Sequence, residues 1–125
     1  MKRMISVMIL ALILTGCASQ TATKEEVSKF IADTKEMTAL FEDVYNTHRE
    51  FTTDEERAFN YYKVNYGEDN EFEGNSDVDI RTISTFTQLL YFDAKRQPGV
   101  DDTFARDLKE INDRISVVES NDIYK

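Results

Sequence analysis

The chain has 125 residues, 24 of them acidic against 15 basic, for a formal net charge of −9. Such a surface repels nucleic acid and anionic headgroups, while basic partners or divalent cations suit it. A single cysteine rules out an internal disulfide, so the fold must hold by packing alone.

The first residues have three parts. Lys2 and Arg3 are basic, Met4 to Leu14 is apolar except for Ser6, and Leu14-Thr15-Gly16-Cys17 follows. Basic, apolar and small-residue segments in that order are the layout of a secretory signal. The apolar stretch is too short for a permanent membrane span, which takes about 20 residues. The Leu14-Thr15-Gly16-Cys17 quartet resembles the lipobox of bacterial lipoproteins, and the resemblance covers residues 1–20. It implies a diacylglycerol thioether on Cys17, cleavage between Gly16 and Cys17, and acylation, for example by palmitate, of the new amino terminus. A thiol suits that alkylation because thiolate is the strongest nucleophile among common side chains. Two or more chains anchor a protein stably where one does not. Ala18 and Ser19 stand where an aspartate would resemble an inner-membrane retention signal. Their presence implies the outer membrane of a Gram-negative envelope, facing the periplasm.

On that reading residues 1–16 are the signal, 17–23 the lipidated cysteine and a short polar tether, and 24–125 the domain. Lys2 and Arg3 leave with the signal, so the mature chain carries 13 basic and 24 acidic residues, a net charge of −11. Lipidation of Cys17 also removes the thiol, and with it cysteine catalysis and thiolate metal sites.

Thr23 followed by Glu26 is a capping-box pattern that opens a first helix, predicted over Lys24–Glu50. Its stripe runs through Val27, Phe30, Thr34, Met37, Phe41, Val44, His48 and Phe51 at steps of three and four, widened by Ile31, Leu40 and Tyr45. Thr53 with Glu56 repeats the capping pattern and predicts a second helix ending near Gly67, with Phe59, Tyr62 and Tyr66 inward. Residues 67–77 hold two glycines and no base, and read as an acidic loop. Ser76 and Asp79 suggest the next cap. Residues 80–87 are rich in β-branched side chains, which also suits a strand. The spacing Ile80, Ile83, Thr87, Leu90, Ala94 favours a third helix, with Phe86 and Leu89 beside it.

Gln97-Pro98-Gly99 is a turn, and Asp101 or Asp102 is placed to cap a fourth helix. That helix is the cleanest amphipath in the chain. Phe104, Leu108, Ile111, Ile115 and Val118 form its stripe, and Arg106, Lys109, Glu110 and Arg114 lie between them. Four such helices, with the single proline at a turn, predict an all-α bundle. The two heptad-spaced helices, first and fourth, are the expected central pair.

No residue constellation points to an enzyme. His48 is the lone histidine, and on the apolar stripe it reads as a partly buried imidazole bonded to a neighbour rather than as a base or ligand. No nucleophile turn, phosphate loop or dinucleotide fingerprint occurs, so no cofactor is expected. In the acidic loop Asp69, Glu71, Glu73, Gly74 and Asp77 fall at positions 1, 3, 5, 6 and 9 of a twelve-residue calcium loop. Ile80 stands where that loop needs a bidentate glutamate, so the resemblance to an EF-hand is partial. The ending Tyr124-Lys125 resembles that of the Braun-type murein lipoprotein, which implies a peptidoglycan link through the Lys125 amine. That family, though, is a much shorter single helix without an acidic loop. The sequence therefore points to a non-catalytic, lipid-anchored envelope protein with an envelope protein as partner. The alternative is a cation- or ligand-binding module using residues 68–79.

Overall fold

A computed structural model describes residues 22–67, 77–96 and 103–124. They form four helices, α1 (Lys24–Thr47), α2 (Thr53–Tyr66), α3 (Val78–Arg96) and α4 (Thr103–Ser120), and a 3₁₀ turn over Asp122–Tyr124. No strand occurs among the described residues, so residues 80–87 are helical despite their β-branched content. Their alternation in steps of three and four puts Ile80, Ile83, Thr87 and Leu90 on one buried face. Burial of that face outweighs the small propensity cost of branched side chains. No described helix is long and apolar enough to cross a membrane.

The first cap is formed as the sequence predicts. The Thr23 hydroxyl accepts from the Glu26 amide at 3.2 Å, and the Glu26 carboxylate accepts from the Thr23 amide at 2.7 Å. The far end of α1 differs from expectation. The helix stops at Thr47, and His48 adopts the left-handed region at φ 53°. The amides of His48 and Arg49 turn back onto the carbonyls of Tyr45 and Val44, both at 3.4 Å. His48 is thus an exposed C-cap and not a buried stripe residue.

Ending α1 early moves the next cap by one residue. Thr52, not Thr53, receives the Glu55 amide, and Glu55 closes the box. Both pairs satisfy the pattern, and tertiary contacts choose between them. Arg49 forks onto Glu55 with two bonds of 2.8 Å. Glu56 instead turns to Lys95 on α3, at 3.0 Å. At α3 the Asp77 carboxylate accepts from the amides of Asp79 and Ile80 at 2.8 and 3.3 Å, so Asp77 acts as the cap. Ser76 lies outside the described residues, as do Asp101 and Asp102.

Helices consecutive in the chain run antiparallel. Thr34 meets Tyr62, Glu56 meets Lys95, and Asp79 meets Arg114. The core is continuous from Val27 to Val118, with Phe30, Phe41, Ile80, Ile83, Leu90 and Ile111 fully enclosed. The central pair is not the expected one. The most extensive backbone contacts join α3 to α4 and α3 to α1. Thr34, Thr38, Ser84 and Thr87 are all buried along these helices. Small side chains let α1 and α3 approach across what would be the diagonal of a square bundle. Helices α1 and α4 meet through longer side chains, with Tyr45 stacked on Phe104 at 4.0 Å and Lys35 paired with Glu119 at 2.6 Å.

Candidate functional site

A cleft of about 500 Å³ runs along the seam between α1 and α2. Its floor is apolar, from Met37, Ala58 and the ring of Tyr62. Antiparallel packing with mismatched side-chain lengths creates it: Ala58 is short where its neighbours are aromatic. The rim is charged. Lys29 donates to Asp33 at 2.6 Å, and the Tyr66 hydroxyl donates to the same Asp33 oxygen at 2.5 Å. On the other side Arg57 pairs with Asp54 at 3.0 Å. Tyr61 stands over the cleft, 68 % exposed.

Behind the floor lies a buried polar node. The Tyr62 hydroxyl is 2.7 Å from that of Thr34, and Thr87 flanks it from α3. The Thr87 hydroxyl also donates to the Ile83 carbonyl at 2.7 Å. No buried side-chain donor or acceptor among the described residues lacks a partner. Burial raises the Tyr62 hydroxyl well above the ordinary phenol range. Burial and the Asp33 carboxylate together push Tyr66 up to about 12. Hydrogen bonds to Asp33 and Tyr66 hold Lys29 in its charged form. Near neutral pH these groups keep their protons, and the cleft presents an ammonium, the carboxyl groups of Asp33, Glu36 and Asp54, and aromatic surface.

A second polar feature escaped the sequence. Asp107 is 3 % exposed, on the buried side of α4, while Leu108 is only half-buried. Its carboxylate accepts from Arg106 at 3.0 Å and faces Asp93 on α3. Burial, then the adjacent Asp107 charge, raises the Asp93 carboxyl above the usual range, against the opposing pull of Arg96 and Thr103. The signal lay in spacing. Asp107 falls three residues after Phe104 and four before Ile111, on the same face, but its charge argued for solvent.

Of the residues singled out in the sequence, Gly16, Cys17, Asp69, Glu71, Glu73 and Lys125 lie outside the described residues. Asp77 is described, and its carboxylate is engaged within the fold. One oxygen caps α3, and the other accepts from the Tyr124 hydroxyl at 3.0 Å, tying the chain's end to the start of α3. Among the described residues no group of three or more His, Cys, Asp or Glu is arranged to hold a metal ion. No family model matches the chain, and comparison with curated proteins and with solved structures gives no significant match.

Proposed function

We propose that this is a lipid-anchored cell-envelope protein that binds or supports another envelope protein and performs no chemistry of its own. The observation that carries the reading is the Leu14-Thr15-Gly16-Cys17 quartet behind a basic and then apolar segment. Acylation at Cys17 tethers the bundle to a membrane, by preference the periplasmic face of an outer membrane. Ala22 is already packed against the core. The five peptide steps from Cys17 to Ala22 span at most roughly 18 Å. The tether therefore holds the start of α1, with the start of α3 and Tyr124 beside it, toward the bilayer. The His48 turn points away.

The partner-binding part rests on the α1–α2 cleft. Its apolar floor, charged rim and exposed Tyr61 are what a protein interface uses: an aromatic anchor with polar groups around it. The test is Cys17→Ser in the native envelope. The variant is expected to incorporate no radiolabelled palmitate and to leave the membrane fraction. Equal labelling of both proteins would overturn the anchoring. For the partner, a photo-crosslinking residue at Tyr61 should give one discrete envelope adduct, and one at the exposed Ser28 should not.

A further inference from the structure

A different face of the molecule carries its own argument. Residues 82–92 of α3 contain no charged residue, whereas no uncharged run in the other three helices exceeds five residues. In a chain with 31 % charged residues that gap stands out, and part of it faces solvent. Val78, Thr82, Thr85, Leu89 and Phe92 follow one another at steps of four and three, so they share one side of the helix. Val78 is 61 % exposed, Leu89 46 % and Phe92 49 %. The stripe looks outward between the contacts α3 makes with α2 through Glu56 and Lys95 and with α4 through Asp79 and Arg114.

The stripe is graded. Its first half is small, Thr82 and Thr85, and its second half is large, Leu89 and Phe92. Both threonine hydroxyls are already satisfied inside the helix: Thr82 donates to the Val78 carbonyl at 2.7 Å and Thr85 to the Arg81 carbonyl at 3.0 Å. Covering them would strand no donor, and their methyl groups complete an apolar surface.

From this we infer that the α3 stripe is the contact between two copies of this chain, packed antiparallel about a two-fold axis level with Thr87. A two-fold contact must be self-complementary, residue i meeting j and j meeting i. The grading meets that condition. With the axis level with Thr87, Phe92 of each copy lies over Thr82 of the other and Leu89 over Thr85, large against small at both ends. Arg96 falls level with Val78 of the second copy, between its Asp77 and Asp79. Of the other charges beside the seam, three have counter-charges within each copy: Asp79 pairs with Arg114, Lys95 with Glu56, and Asp93 lies in the field of Arg96. Two chains of net negative charge repel, and they repel least along residues 82–92, the stretch of α3 that carries no charge.

The test uses the full chain expressed in a bacterial envelope. Thr85→Cys with Leu89→Cys places each new thiol opposite the other kind across the seam. Mild oxidation is expected to convert most of this variant to a covalent species of twice the chain mass. The parent, with Cys17 alone, and a variant with a cysteine at the exposed Asn60 should stay at single mass. In unoxidised, detergent-extracted material, Phe92→Asp should lower the dimer fraction at least tenfold while the far-ultraviolet dichroism stays helical. An absence of the double-mass species, with both introduced thiols still reduced and accessible to maleimide, would overturn the proposal. So would a Phe92→Asp variant that dimerises like the parent. An adduct of any mass other than twice the chain would assign the stripe to a different protein and equally overturn it.

Discussion

Asp93 and Asp107 show how a residue can be placed against its own preference. Two carboxyls from facing helices meet at a site that desolvates both, and Asp93 responds by holding its proton more tightly than an ordinary aspartate. A carboxyl whose pKa is higher folded than unfolded favours the fold most at low pH. That contribution is lost as pH rises through the folded value. Asp93→Asn keeps the shape and removes the charge. The variant should therefore be more stable than the parent at pH 7.5, and the advantage should shrink toward pH 4. Urea midpoints of both proteins across that range measure it, and parallel curves would show that the two carboxyls do not repel. Glu55 lies at the opposite pole. Arg49 and the Thr52 amide hold its carboxyl down to about 2.

At the scale of elements, the helix ends decide the layout. Helix α1 could have run on through His48 to Phe51, since apolar spacing continues across them. Instead the left-handed His48 reverses the chain, and Phe51 reaches the core from the linker, edge-on to Phe41 at 5.8 Å. A non-glycine residue in that region is strained by about 1–2 kcal/mol. His48→Gly should relieve about 1 kcal/mol of this, part of the relief being offset by the greater freedom of glycine in the unfolded chain. Because His48 is exposed, little packing is lost. A rise in the urea midpoint is expected, and a fall would mean that the imidazole makes a contact worth more than the strain.

For the molecule as a whole, one core drawn from all four helices holds the bundle together. Ile111 is fully enclosed. Truncation to alanine removes buried methyl groups and leaves a partial cavity, at a cost of about 2–5 kcal/mol. In a domain of this size, with a total of about 5–10 kcal/mol, the urea midpoint should fall by a large fraction. The matched control is Asn112→Ala, on the exposed side of the same helix, with an expected effect under about 0.5 kcal/mol. Glu110 would be a poorer control, because it is bonded to Arg114 at 2.8 Å and Arg114 also reaches Asp79 at 2.7 Å. Neutral behaviour of Ile111→Ala would show that the stripe does not carry the bundle.

Spacing along the chain was enough for the number of helices, most of their buried stripes and the first capping box. All of these are local: apolar residues at steps of three and four define a face whatever it packs against. Val27, Phe30, Thr34, Met37, Phe41 and Val44 were legible for that reason. The α1–α2 cleft was not, because it depends on which helices become neighbours and on Ala58 standing short beside Tyr61 and Tyr62. Contacts between elements paired α1 with α3 across small buried threonines. They also chose Thr52 over Thr53 as a cap through Arg49, and turned Asp107 inward toward Asp93. Each of these is decided by a group distant in sequence or by a competition between near-equal local options, and spacing along the chain holds no record of either.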